Sequence, residues 1–212
     1  MARSIASNTV LMYGRTAITL VISLYTSRLV LSELGITDFG IYALVAGIVS
    51  LFSFLNSSLS QGTQRFLNFE LGRNDFEKAR EVFAASFRVH IAVALAVFLA
   101  AETMGMWFLE TYATSPQDRM DAAIIVFHFS IISTIILILQ VPYTSSIIAS
   151  EKFTIFALFD IGFAVLRLVS AFILLYIGSD KLVLYGGLVL FSTVLMSFGK
   201  LLYCRMHINY CR

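Results

Sequence analysis

Residues 122–148 have the sequence AAIIVFHFSIISTIILILQVPYTSSII, which contains no Asp, Glu, Lys or Arg. This run is longer than the roughly 20 residues that an α-helix needs to cross a bilayer. It also lacks the regular alternation of polar and apolar residues that marks a membrane β-strand. Because backbone polar groups in hydrocarbon must be satisfied within the segment, the run indicates a transmembrane α-helix.

The composition of the whole chain agrees with a membrane protein. Hydrophobic residues make up 58% of the 212 positions and charged residues 13%, and the mean hydropathy is +0.85. Soluble domains average about 25% charged residues, so this chain is expected to fold in lipid. A net charge of +2 is too small to indicate nucleic-acid binding. Cys204 and Cys211 show no spacing typical of a metal site, and no metal is predicted.

Hydropathy windows predict one all-α bundle over residues 1–212 with six transmembrane spans. The spans are expected near Thr9–Leu31, Phe39–Leu59, Phe83–Leu109, Ala122–Ile148, Phe153–Ile177 and Leu182–Tyr203. Cations concentrate at one set of span ends, which predicts that both termini are cytoplasmic. These cations are Arg3, Arg65, Arg73, Lys78, Arg80, Arg88, Lys152, Lys200, Arg205 and Arg212. The opposite side has Arg119, Lys181 and, near the end of the first span, Arg28, together with the acids Glu33, Asp38, Glu110, Asp118, Asp121 and Asp180.

Polar residues inside the spans fall in rows along single helix faces. The second span has a row at steps of three and four: Ser50, Ser53, Ser57, Gln61, Gln64 and Asn68. The first span has a similar row, which Arg15 and Arg28 accompany: Thr9, Thr16, Thr19, Ser23 and Ser27. Small residues at this spacing also allow close helix packing. Because two glutamines are larger than close packing favours, we interpret the rows as the lining of a shared hydrophilic interior.

Asp160 and Arg167 lie seven residues apart in the fifth span and share a helix face, about 10 Å apart along the axis. Two interpretations stay open for Arg167: a cation lining a cavity, or one member of a structural ion pair. The sequence contains no phosphate-binding loop, Ser/His/Asp set or close pair of carboxylates, so neither an enzymatic reaction nor a cofactor is predicted. Arginines inside a membrane suit a polar, anionic group such as pyrophosphate.

Three segments resemble the N-terminal region of bacterial polysaccharide and O-antigen flippases of the multidrug/oligosaccharidyl-lipid/polysaccharide exporter superfamily. They are LYTSRLVL at 24–31, LG with DFGIY at 34–42, and FLN with TQRFL at 54–67. The resemblance implies one lobe of a two-lobed carrier that moves lipid-linked saccharide precursors across the bacterial inner membrane. It suggests Arg15, Arg28 and Arg65 as substrate-binding residues, to which the polar rows and the fifth span add Gln61, Gln64 and Arg167.

Members of that superfamily carry a second bundle, so the chain is expected to be an N-terminal half. Its partners would be a lipid-linked pyrophosphate oligosaccharide, membrane lipids and either the missing second lobe or a second copy in a homodimer. Two alternatives stay open. One is a scaffold of a saccharide-assembly complex that does not transport; the other is half of a drug/cation antiporter, for which acidic cavity residues would be expected.

Overall fold

The structure, a computed structural model, describes the backbone of residues 2–112, 119–178 and 180–211. Side chains are described over the same ranges apart from residues 2–7, 48–49, 51–56, 110 and 112. Some of the residues named above have side chains outside the described residues: Arg3, Ser53, Glu110, Asp118 and Arg212.

Over the described ranges the backbone forms six α-helices and no strand. The helices are α1 (Ala2–Gly72), α2 (Phe76–Ala100), α3 (Met106–Tyr112), α4 (Met120–Ala149), α5 (Phe153–Ile173) and α6 (Lys181–His207). A π-helical turn, Ala101–Gly105, joins α2 to α3, and a 3-10 turn, Asn209–Cys211, follows α6. Five stretches of the described chain are long and apolar enough to cross a membrane: Asn8–Gly47, Phe76–Leu109, Met120–Ala149, Phe153–Ile173 and Lys181–His207. The predicted all-α membrane fold is confirmed.

Helix α1 is interrupted at Gly35, which divides it into a first arm (residues 2–34) and a second arm (residues 36–72). Gly35 has φ 74° and ψ 174°, a conformation that is essentially restricted to glycine. Thr19 and Ala46 line one cavity, although a continuous helix would place them about 40 Å apart. The two arms therefore fold back beside each other, and the stretch Asn8–Gly47 contains the reversal. The six spans and their orientation in the membrane stay a prediction.

Helix α4 lies at the centre of the bundle, where its most extensive contacts are with α6 and with α1. Small residues allow this close approach. A Cβ atom added at Gly186 of α6 would lie 3.1 Å from a methyl group of Val126 on α4. One buried cluster joins α4 to α1, α5 and α6 through Val45, Phe127, Ala171 and Tyr185. A second cluster near the opposite helix ends contains Leu67, Phe83, Ile147 and Cys204.

An ionic cluster at one end of the bundle links the start of the second arm of α1 to the residues that precede α4 and α6. Arg119 donates to Asp38 over 2.9 and 2.5 Å and to Asp180 over 2.7 and 3.1 Å. Asp180 also caps α6 by accepting from the backbone N–H of Leu182 at 3.1 Å. Hydrogen bonds from Arg119 hold the pKa of Asp180 below its ordinary value. Beside this cluster, Lys181 donates to Glu33 over 2.8 Å.

Candidate functional site

Two neighbouring cavities lie in the polar interior of the bundle. The first, which we name the arginine cavity after Arg167, has a volume of about 440 Å³ and lies between both arms of α1, α5 and α6. Its polar lining comes from Thr19, Ser23, Thr26, Ser27, Tyr42, Asp160, Arg167 and Tyr185. Three members of the polar row predicted on the first span, Thr19, Ser23 and Ser27, therefore face one cavity.

Arg167 has no acidic partner among the described residues. Its Nη2 group donates to the hydroxyl of Tyr42 over 3.4 Å, and its guanidinium carbon lies 6.0 Å from the ring centroid of Phe163. Its Nε group is buried and has no hydrogen-bond acceptor in the described part of the chain. A guanidinium that lines a cavity and has no acidic partner among the described residues can bind an anionic group there.

Asp160 also lines the arginine cavity, but its partner is Arg15 on the first arm of α1. The Nη1 group of Arg15 donates to the carboxylate over 2.6 Å, and the guanidinium lies 5.0 Å from the ring centroid of Phe156. The structural alternative considered for Arg167, an ion pair with Asp160, is therefore not the arrangement that the structure shows. Because Arg15 balances the carboxylate, Arg167 keeps an uncompensated positive charge.

The second cavity, named the lysine cavity after Lys200, has a volume of about 400 Å³ and lies between the second arm of α1, α4, α5 and α6. Asp160 and Phe163 line both cavities, so the two adjoin along α5. The other polar residues of the lysine cavity are Ser57, Ser60, Gln140, Thr144, Thr193 and Lys200. Ser57 belongs to the polar row predicted on the second span.

The six predicted binding residues occupy different surroundings. Arg167 lines the arginine cavity, Arg15 adjoins it through Asp160, and the Nε2 group of Gln64 donates to Ser60 of the lysine cavity over 3.0 Å. The remaining three are exposed and line neither cavity: Arg28, Gln61 and Arg65. Their assignment to a binding site stays a prediction.

Three residues of the interior, Tyr42, Tyr185 and Lys200, were not indicated by the polar rows of the sequence. Lys200 is among the predicted cytoplasmic cations, yet the residue is only 7% exposed. Its position inside the predicted sixth span, before the end at Tyr203, was the available signal. The described residues contain no group of three or more His, Cys, Asp or Glu side chains able to hold a metal ion.

Comparison with known proteins supports this architecture. The MatE family pattern matches residues 14–173. No curated protein sequence matches the chain. Its fold is similar to an outward-facing multidrug resistance MATE family transporter of the MOP superfamily, with a TM-score of 0.80 and 16% identity over 97% of this chain and 45% of that one.

Two further structures have a similar fold. A MOP superfamily transporter from Pyrococcus furiosus has a TM-score of 0.80 and 16% identity over 98% of this chain and 45% of that one. A MATE mutant has a TM-score of 0.83 and 15% identity, with 98% of this chain and 46% of that one covered. At these identities the likeness shows the fold alone. The chain spans about half the length of the structures it matches.

Proposed function

The chain belongs to the MatE family, and from that premise we propose that it is one lobe of a membrane transporter for lipid-linked saccharide precursors. The cargo would pass as an intact molecule through the bacterial inner membrane, with no chemical step and no cofactor. A second lobe or a second copy of the chain would complete the enclosure. The resemblance of the LYTSRLVL, DFGIY and TQRFL segments to polysaccharide flippases supports this cargo class.

The observation that carries the proposal is the charge of the arginine cavity. Its only acid among the described lining residues, Asp160, is paired with Arg15, while Arg167 has no acidic partner in the described part of the chain. Such a cavity favours an anion, and a guanidinium binds phosphate oxygens well. A drug/cation antiporter would require the opposite balance. Pocket polarity differs among proteins of this fold, since the Pyrococcus furiosus transporter is described as having a binding pocket of reversed polarity.

The direct test is complementation of a flippase-deficient strain. The 212-residue chain is expressed alone and fused to a second bundle, and surface glycan is measured. We expect at least the fused form to restore surface glycan. If neither form restores it while both insert into the membrane, the proposed cargo is wrong. A chain that restores glycan assembly without moving the lipid-linked precursor in reconstituted vesicles would instead be a scaffold.

Variants in the rescued strain test the arginine cavity. Arg167→Gln should lower rescue by about tenfold, because it removes a charged hydrogen-bond donor from the cavity. Arg167→Lys should keep part of the rescue. Arg88→Gln is the matched control, since Arg88 is exposed and donates to the backbone oxygen of Ala84 over 3.3 Å. Arg28→Ala tests the residue that only the sequence suggests, and full rescue by this variant would remove Arg28 from the site.

A further inference from the structure

Lys200 is a buried cation that the proposed function does not use. Its side chain is 7% exposed and extends from α6 to the lining of the lysine cavity. It forms no hydrogen bond or ion pair with any residue that the structure describes. An ammonium group removed from water is costly unless a partner compensates it. A cation on a largely buried residue that lines a cavity and has no hydrogen-bond or ion-pair partner among the described residues is therefore a candidate ligand-binding group.

The one acid among the described lining residues of the lysine cavity already has a partner. Asp160 lines the same cavity, but its carboxylate lies 2.6 Å from the guanidinium of Arg15. Arg15 and Asp160 together contribute no net charge. When Arg15, which lies outside the lining, is counted with Asp160, the positive charge of Lys200 is left over.

Neutral donors of the lysine cavity also have unused hydrogen-bonding capacity. Thr144 accepts from the Nε2 group of Gln140 over 3.3 Å, and its own hydroxyl hydrogen has no acceptor among the described residues. Gln140 accepts from Ser197 through Oε1, which fixes the orientation of its amide. The second Nε2 hydrogen of Gln140 is therefore available as well. An ammonium, a hydroxyl and an amide N–H line the same space.

We propose that the lysine cavity binds a phosphoryl oxyanion, with Lys200 supplying the charge and Thr144 and Gln140 supplying neutral hydrogen bonds. This inference rests on the proposed function, to which it adds a second phosphate-binding position beside the arginine cavity. A volume of about 400 Å³ accommodates a phosphoryl group. Because Asp160 and Phe163 line both cavities, the anionic part of a cargo could move from one cavity to the other along α5.

The test measures phosphate binding to the whole chain in maltoside micelles, which contain no phosphate of their own. Inorganic pyrophosphate is one probe and a polyprenyl monophosphate is the other, and titration calorimetry gives the affinity of each. Lys200→Gln should weaken binding of at least one probe by about tenfold or more, since a charged hydrogen bond is lost. Lys200→Arg should keep most of the affinity. Loss for pyrophosphate indicates a site for free phosphate, and loss for the polyprenyl phosphate alone indicates a lipid headgroup.

Lys181→Gln is the matched control, because it removes the same charge from the same helix outside both cavities. Thermal unfolding of each variant shows whether it folds. If Lys200→Gln does not fold, Thr144→Val is the variant that tests the inference, because it removes a hydrogen-bond donor without removing a charge. It should weaken phosphate binding by about threefold.

Two results with variants overturn the inference. The first is unchanged binding in a folded Lys200→Gln variant, or in Thr144→Val where that variant decides. The second is an equal loss in Lys181→Gln. If binding persists in Lys200→Gln but disappears in Arg167→Gln, the lysine cavity is not the site while the proposed function stands. If the unmodified chain binds neither probe, the inference and the proposed anionic cargo both fail.

Discussion

The contact between Arg15 and Asp160 joins the first arm of α1 to α5 across the polar interior. The two side chains are 21% and 37% exposed, so solvent weakens their attraction to an intermediate degree. Removing one partner leaves the other charge without compensation in a largely apolar bundle, which costs more than removing both. We expect Arg15→Gln and Asp160→Asn each to lower the unfolding temperature. The double variant should be more stable than the sum of the two single losses predicts.

A double-mutant cycle in detergent measures this coupling, which we expect to be about 1–2 kcal/mol. Thr16→Val is the control, because it removes a side-chain oxygen that Arg15 contacts at 3.2 Å without changing any charge. Strictly additive losses in Arg15→Gln and Asp160→Asn would show that the contact does not stabilise the fold.

Sequence alone identifies charged residues in the spans but not their partners. Arg15, Asp160 and Arg167 are conspicuous because a charge in hydrocarbon requires an explanation. Whether Arg15 or Arg167 pairs with Asp160 depends on the rotation of α1 about its axis relative to α5. That rotation follows from packing among all the helices, which no local pattern specifies. Lys200 illustrates the same limit, since a position near a span end suits both a surface cation and a buried one.

At the scale of elements, the reversal within α1 depends on the backbone of one residue. Gly35 has φ 74°, and nothing lies within 4 Å of where its Cβ would be. Its requirement for glycine is therefore conformational and not steric. Gly35→Ala should destabilise the fold by about 1–3 kcal/mol because an alanine must adopt a strained conformation there. Thermal unfolding of the purified variant measures this loss.

Gly40→Ala is the matched control for this backbone argument. Gly40 lies in the second arm of α1 without a positive φ, and its added Cβ also meets open space. Alanine should leave stability unchanged or raise it by up to about 1 kcal/mol, because glycine is the poorer helix former. Equal effects of the two substitutions would show that the reversal does not depend on the conformation of Gly35.

The elements themselves were largely predictable, because long apolar runs without alternation have one physical solution in lipid. The residues at which the helices begin and end were harder to predict. The third span is predicted from Phe83, and the helix that contains this position, α2, begins earlier at Phe76, where the carboxylate of Asp75 caps the helix by accepting from the N–H of Lys78 over 3.0 Å. Charged residues before Phe83 obscure this start in a hydropathy window, although an amphipathic turn continues the helix.

At the scale of the whole molecule, the cluster around Arg119 should make stability depend on pH. The pKa of Asp180 lies below its ordinary value of 3.8, chiefly because Arg119 donates hydrogen bonds to the carboxylate. Burial opposes this shift but does not reverse it. A lowered pKa in the folded state means that the stabilisation is complete above 3.8 and is lost as the pH falls through the lowered value. The unfolding temperature should therefore fall in strong acid.

Arg119→Gln tests the origin of this dependence. The pKa of Arg119 is raised by both carboxylates, so the arginine stays charged across the range. The variant should start with a lower unfolding temperature at neutral pH and lose less of it on acidification. Parallel acid profiles in the two proteins would assign the effect to carboxylates other than Asp180.

The exposed polar face of α1 determines how the bundle is completed in a membrane. Gln61 is exposed and lines neither cavity, while Phe198 of α6 is 56% exposed and apolar. A polar side chain on a lipid-facing surface is costly, so the face bearing Gln61 should meet water or a second lobe.

After Cys204 and Cys211 are replaced by Ala, a membrane-impermeant maleimide should label Gln61→Cys in native membranes far more than Phe198→Cys. Equal labelling would show that both faces meet the same solvent, and α1 would then not border a wet interior. Protection of Gln61→Cys only when a second bundle is fused would place that face at the junction between lobes, because the fused bundle is then the only new source of cover.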